Sequence, residues 1–120
     1  MNYQVNDHEM LKKVDRIIHK AGNLYELDDI MDLIDVGKMQ SFTYDNTWVV
    51  TQIQVYPRKK VLEIVWVIGF MEDAVKLLPE IEQYAKEKGA SRIRGIGREG
   101  WWKFAEPGWK QTAVMYEKDI

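Results

Sequence analysis

The feature that most constrains the fold is a nearly unbroken apolar run from Val61 to Phe70, interrupted by Glu63 and Gly69. A strand with apolar side chains on both faces must be covered on both faces, which predicts a central strand between two layers of helix. The run is far shorter than the ~20 apolar residues that a membrane span needs. We therefore expect a buried strand and no membrane segment.

Segments with helical periodicity lie before and after this run in the sequence. Residues 6–21 carry an amphipathic pattern with apolar positions three and four apart, and Tyr25–Val36 carries a second one that ends at glycine. A third helix is predicted from Met71 to a C-terminal cap at Gly89. Pro79 lies inside it, and we expect it to kink the helix or to start a second segment.

The remaining segments alternate in the manner of strands or form a short helix. Turn residues separate them, and the strands contain many β-branched and aromatic side chains. The predicted strands are Gln40–Thr43, Thr47–Tyr56, Ser91–Ile96 and Trp109–Lys118, and the short helix is Arg98–Ala105. With the apolar run, the order is ααβββαβαβ. We expect an α/β (α+β) fold in one domain, residues 1–120, with a mixed, mainly antiparallel sheet and helices on both faces.

Composition excludes several function classes. The chain has 17 basic and 19 acidic residues, a net charge of −2, so no overall field attracts nucleic acid. It contains no cysteine, which excludes disulfides and thiolate metal sites. The N-terminal residues lack the pattern of a signal peptide, so we expect a cytoplasmic protein.

No metal site is predicted. The acids of the second helix lie opposite its apolar stripe, which is typical of a solvated face. The two histidines, His8 and His19, lie about 16 Å apart along the first predicted helix, too far to share one ion.

Several short motifs resemble a known family. The C-terminal end of the chain resembles that of GNAT acetyltransferases, where a short helix ends at a Gly-aromatic pair before a last strand. The motifs that carry this resemblance are Gly108-Trp109 and Tyr116-Glu117-Lys118. The stretch from Val49 through Tyr56-Pro57-Arg58 to Gly100-Trp101 is similar to small GNAT-like proteins of tailed bacteriophages and prophages. The predicted order of elements agrees with that fold. The resemblance covers most of the chain.

The resemblance implies a cofactor loop between the apolar strand and the long helix. In working acetyltransferases a glycine-rich [Q/R]-x-x-G-x-[G/A] segment there binds the pyrophosphate of acetyl-CoA. Here that position is Val67–Ala74, with one glycine and the two acids Glu72 and Asp73. Side chains in place of glycine hinder backbone approach, and carboxylates repel phosphate. The sequence therefore predicts no cofactor bound in the family's way.

A literal match to the motif occurs elsewhere, at Arg92–Gly97. If it were the cofactor loop, Arg92, Gly95 and Gly97 would bind acetyl-CoA, but little chain would remain for the rest of the fold. On a strand after the long helix, the same residues would instead alternate between two faces. Both interpretations stay open at this point.

Catalysis in such a family needs a general base near the amine and an acid near the leaving thiolate. The candidates are Glu63 on the apolar strand and Tyr116 on the last one. Glu63 is read either as lying near a solvated strand end or as a buried carboxylate. Neither residue belongs to a diagnostic motif.

The densest cluster of aromatic and basic residues lies near the C-terminal end. Its partner-binding candidates are Arg94, Arg98, Trp101, Trp102 and Trp109. Three interpretations compete: docking of the short helix on the sheet, a protein-binding surface, and a single-stranded nucleic-acid site. The nucleic-acid interpretation lacks the support of a basic overall charge.

These observations lead to one expectation and one alternative. The expectation is a phage-type GNAT-like protein without catalysis or cofactor, which acts through protein partners in the virion, in its assembly or in the host cytoplasm. A homo-oligomer is among the open arrangements. The alternative is an acetyl-CoA-dependent N-acyltransferase with a divergent loop. The separation of the two strands that flank the long helix should discriminate between them, because the cofactor needs these strands apart.

Overall fold

The computed structural model describes residues 24–96 and 108–120. The elements are α1 Leu27–Asp35, β1 Met39–Tyr44, β2 Thr47–Val55, β3 Lys60–Ile68, α2 Met71–Glu87 and β4 Arg92–Gly95. The predicted helices 6–21 and 98–105 lie outside the described residues. The structure confirms the second predicted helix, the long helix and the first four predicted strands. Their observed ends differ from the predicted ones by no more than two residues.

The four strands form one sheet in the order β1-β2-β3-β4. β1, β2 and β3 make an antiparallel meander, and β4 pairs parallel with β3 after the α2 crossover. This agrees with the prediction of a mixed, mainly antiparallel sheet.

Helices cover the two faces of the sheet, as the two-sided apolar run predicts. On one face Ile30 of α1 packs in a cluster with Trp48 and Trp66. On the other face Leu77 and Ile81 of α2 pack in a second cluster with residues of all four strands. β3 supplies buried or partly buried side chains to both clusters, because its residues are apolar on both sides.

A β-bulge interrupts the pairing of β2 with β3. Val50 lies opposite Trp66 and Thr51 lies opposite Ile64, so Val65 is an extra residue on β3. Val65 and Trp66 both pack on the α1 side, whereas strict alternation would place them on opposite faces. The bulge therefore reverses the phase of β3 halfway along the strand.

Glycines end both helices, as predicted. Gly37 follows α1 with φ +81°, and Gly89 follows α2 with φ +82°, in the left-handed region that favours glycine. Pro79 lies within α2, which is a single helix from Met71 to Glu87. The acids of α1 lie on its exposed side, as the charge pattern predicts.

The predicted final strand, Trp109–Lys118, is wrong. This segment has no regular secondary structure, and every residue from Lys110 to Ile120 is exposed. Alternation of side chains shows that a segment suits a sheet, but a strand also requires a neighbouring backbone to bond with. No described residue provides that neighbour.

Among the described residues, no helix has the length and apolarity to cross a membrane.

Candidate functional site

The candidate site lies at the end of the sheet where three segments meet. These are the end of β3 with the following Gly69, the β1–β2 turn at Asp45-Asn46, and the N-terminus of α2. Gly69 has φ +118°, and a Cβ placed on it would lie 2.6 Å from Thr47 Oγ1 and 2.7 Å from the Asn46 carbonyl oxygen. The space that this glycine leaves is filled by the protein's own turn.

Thr47 joins the N-terminus of α2 to the carboxylate of Asp73. The backbone N–H of Phe70, the N-cap residue, donates to Thr47 Oγ1 at 3.0 Å. The Thr47 hydroxyl in turn donates to Asp73 Oδ2 at 3.1 Å. Thr47 is buried, 1% exposed, so this hydroxyl is held in place. A carboxylate is thereby fixed in the first turn of α2, at the end of the helix that attracts anions.

The charge at this end is negative. Glu72 and Asp73 both lie in the first turn of α2. Like charges repel, so both carboxylates disfavour a phosphate at this end. They oppose the attraction that the helix N-terminus itself has for an anion.

These residues do not fit the pyrophosphate of acetyl-CoA. A phosphate cradle needs open space above glycine and backbone N–H groups free to donate. At this end the space over Gly69 is closed by Asn46 and Thr47, and the N–H of Phe70 already bonds to Thr47.

A second feature of the site is the short pairing of β3 with β4. It runs from Val61–Arg92 to Ile64–Gly95, where β4 ends, whereas β3 continues to Ile68. The bulge at Val65, in the pairing of β3 with β2, comes directly after the last residue of β3 that pairs with β4. Bulges often lie next to functional sites, where they redirect a side chain or end a pairing.

The second glycine motif lies on β4. Ile93 packs in the α2-side cluster, and Arg94 lies on the opposite face, so the alternation expected of a strand is confirmed there. A Cβ on Gly95 would lie 3.4 Å from Ile64 Cβ, so this glycine permits close packing on β3. Arg92 is exposed, and Gly97 lies outside the described residues.

Glu63 belongs to a polar network on the α1 side of the sheet. Arg94 Nε donates to Glu63 Oε2 at 2.7 Å, and Gln52 Nε2 donates to Glu63 Oε1 at 3.2 Å. Arg94 also bonds to the hydroxyl of Tyr56, over whose ring the guanidinium lies 5.1 Å from the centroid. The hydrogen bond to Glu63 raises the pKa of Arg94 above its ordinary value.

The structure does not bring Glu63 and Tyr116 together as an acid–base pair. Glu63 bonds to Gln52 and Arg94 on the sheet, and Tyr116 is 90% exposed in the C-terminal segment.

The predicted aromatic and basic cluster is described only in part. Arg94 is engaged in the network above, and Trp109 is half-buried next to exposed Lys110. Arg98, Trp101 and Trp102 lie outside the described residues.

Sequence reasoning missed Thr47 and Tyr56 as site residues. The pattern of the sequence marks Thr47 only as the start of a strand, whereas its bonds to Phe70 and Asp73 cross more than twenty residues of chain. A threonine directly after a tight turn carries no signal of such a role. Tyr56 enters the sequence reasoning only as part of the resemblance.

An open cavity of about 510 Å³ lies at the opposite end of the sheet. Its lining includes Tyr25, Lys38, Gln52, Tyr84 and Lys88. Burial raises the pKa of the Tyr84 phenol above its ordinary value.

No protein-family model matches the chain, and no curated protein matches it. Solved structures do. An aminoglycoside acetyltransferase from an uncultured soil metagenomic sample superposes with a TM-score of 0.65 at 13% identity, covering 93% of this chain and 87% of its own. A Trypanosoma brucei acetyltransferase gives 0.66 at 14% identity, covering 98% and 97%. The protein TTHA1254 from Thermus thermophilus gives 0.61 at 15% identity and covers 100% of both chains.

These likenesses establish the architecture. At such low identity they show a common fold and do not carry over an activity. The GNAT-like fold that the resemblance implied is therefore confirmed, and the chemistry has to be argued from the site.

Proposed function

From the premise that this chain has a GNAT-like fold, we propose that it works without acetyl-CoA and acts through contacts with other proteins. The observation that carries this proposal is the cap on α2, where Thr47 bonds to both Phe70 and Asp73. At the end of the sheet where the fold would place a pyrophosphate, the chain's own hydroxyl takes up the Phe70 N–H and holds a carboxylate.

The closed space over Gly69 supports the same proposal independently of charge. Opening it would require the β1–β2 turn to move away from β3, although Thr47 is buried and pairs with Tyr44 across the turn. Such a movement would disrupt the sheet end that holds the site.

Exposed apolar side chains support the protein-contact part. Phe70 is 59% exposed at the candidate site, and Val114, Met115 and Tyr116 are exposed together in the C-terminal segment. A contiguous group of this kind is more typical of a contact surface than single exposed residues are. The virion of a phage, or its assembly, is the setting that we propose for these contacts.

Calorimetric titration with acetyl-CoA, and separately with coenzyme A, tests the proposal. We expect no saturable heat. Binding with a micromolar Kd would overturn it, because the chain would then have a cofactor site despite the bonds that Thr47 makes to Phe70 and Asp73.

The variant Asp73→Asn separates charge from shape in this test. The amide keeps the size of the side chain but removes the negative charge. We expect it to remain unable to bind acetyl-CoA, since the space over Gly69 stays closed. Thr47→Ser serves as the matched control, because it keeps the capping hydroxyl.

The second candidate function is acetyl-CoA-dependent N-acyl transfer. One observation favours it: the pairing of β3 with β4 ends at Ile64–Gly95, directly before the bulge at Val65. If Arg92, Gly95 and Gly97 then bound the cofactor, Gly95→Val and Gly97→Val would abolish turnover of acetyl-CoA with a panel of primary amines. Turnover that persists in both variants would exclude that loop as the cofactor site.

A further inference from the structure

The C-terminal segment has the composition of a strand but pairs with no described strand. Its residues alternate, with Thr112, Val114 and Tyr116 on one side and Ala113, Met115 and Glu117 on the other. Val114 is 63% exposed and Tyr116 is 90% exposed. β-branched and aromatic side chains in this pattern suit a half-buried strand.

β4 offers an edge to such a strand. It is the last strand in the sheet order, and it bonds to β3 on one side. No described residue pairs with its other side. An exposed edge presents unpaired N–H and C=O groups and is a template for an added strand.

One register matches the segment to this edge in both shape and charge. In an antiparallel arrangement with Tyr116 opposite Ile93, Val114 lies opposite Gly95 and Glu117 opposite Arg92. Ile93 packs in the α2-side cluster, so Tyr116 and Val114 would extend that apolar face. On the other face Glu117 would oppose the exposed Arg92, an opposite-charge pair that favours the register. A shift by one residue would turn every side chain to the wrong face.

We infer that residues 112–118 of one chain add to the β4 edge of a second copy, and that the exchange is reciprocal. A twofold arrangement covers the exposed segment and the exposed edge of both copies with one kind of contact. The inference rests on the proposed function and names its partner: the protein contact is a second copy of this chain.

A second copy is favoured over the same chain because the segment pairs with no described strand of its own chain, and every residue from Lys110 onward is exposed. Arg92 and Glu117 lie opposite each other in this register whichever chain supplies the strand. If one chain carries a reversed charge at 92 and a second chain a reversed charge at 117, opposite charges meet again only when the segment is exchanged between the chains. Such a mixture therefore distinguishes the two arrangements.

The experiment measures association by sedimentation velocity across a concentration series of the full chain. We expect a monomer–dimer equilibrium for the wild type. Arg92→Glu and Glu117→Arg each place like charges opposite one another twice per dimer, and each should raise the dimer Kd about tenfold.

Mixing the two variants gives the decisive result. In a mixed dimer both contacts again pair a carboxylate with a guanidinium, so the mixture should dimerise about as well as the wild type. Arg58→Glu and Lys110→Glu are the matched controls: they reverse exposed charges outside the register, and they should leave the dimer Kd unchanged alone and when mixed.

Two outcomes overturn the inference. One is a wild type that stays monomeric over the whole series. The other is a pair of variants that mixing does not rescue while the double variant in a single chain regains hydrogen-exchange protection of residues 112–118, which means that the segment pairs with its own β4. Titration of the same dimer with acetyl-CoA tests the proposed function separately, since cofactor binding would overturn that function and leave the strand exchange standing.

Discussion

Thr47 Oγ1 lies 3.1 Å from Asp73 Oδ2 and joins the start of β2 to the first turn of α2. The same oxygen accepts the N–H of Phe70 at 3.0 Å. One buried hydroxyl therefore satisfies a backbone donor at a helix end and fixes the carboxylate that follows it. This arrangement stabilises the helix start.

Thr47→Val should destabilise the fold by about 1–3 kcal/mol, because the substitution keeps the shape of the side chain and leaves the Phe70 N–H without its acceptor. Urea unfolding followed by circular dichroism measures this change. Ser91→Ala, which removes an exposed hydroxyl, is the control and should stay within about 0.5 kcal/mol of the wild type. Equal stability of Thr47→Val and wild type would mean that the cap contributes nothing.

Gly69→Ala should cost about 2–4 kcal/mol, from overpacking and backbone strain together. The new Cβ would lie 2.6–2.8 Å from atoms of Asn46 and Thr47, and φ +118° is strained for any residue with a side chain. Gly37→Ala is the matched control, since Gly37 has φ +81° with nothing within 4 Å of its Cβ position. Its cost should be about 1–2 kcal/mol from strain alone. A Gly69→Ala variant no less stable than Gly37→Ala would show that the turn does not pack against Gly69.

The sequence predicted the elements of this part of the chain because periodicity and turn residues are local signals. Leu27–Asp35 and Met71–Glu87 follow from apolar spacing and from the glycines beyond them. The acidic first turn of α2 was also predicted, since Glu72 and Asp73 directly follow the predicted start of the helix. This prediction required no knowledge of tertiary contacts.

Three features could not be predicted in this way. The cap by Thr47 depends on the register of the β1–β2 turn against a helix that begins more than twenty residues later. The bulge at Val65 is hidden because β3 is apolar on both faces, so a change of phase leaves no trace in its pattern. Trp109–Lys118 alternates like a strand, but alternation alone does not show whether a neighbouring backbone is available to pair with it.

Glu63 and Arg94 should couple only weakly in stability. Arg94 Nη2 lies 2.5 Å from Glu63 Oε2, but the side chains are 46% and 21% exposed, in the order Arg94 and Glu63, so solvent screens the pair. A double-mutant cycle with Glu63→Gln and Arg94→Met should give a coupling free energy of about 0.2–1 kcal/mol. The cycle Gln83→Ala with Glu87→Ala, a side-chain hydrogen bond on the exposed side of α2, provides the comparison. Coupling above about 2 kcal/mol would mean that the pair is shielded from water in solution.

Tyr84 should make stability decline at alkaline pH. Burial raises the pKa of its phenol in the folded state, so folding favours the protonated form. A group with a raised folded pKa contributes stability that is complete below its unfolded pKa, about 10 for tyrosine, and is lost as pH rises through the folded value. Stability should therefore be flat with respect to this group near neutral pH and should fall above about pH 10.

Tyr84→Phe tests this assignment. The ring packs edge-on against Phe42, with 5.8 Å between centroids, and phenylalanine keeps that contact. The variant should show a smaller loss of unfolding free energy between about pH 9 and 11 than the wild type. Phe70→Leu is the control, because it changes an exposed aromatic ring without removing an ionisable group and should leave the alkaline decline unchanged. The assignment is wrong if Tyr84→Phe loses as much stability as the wild type over that range.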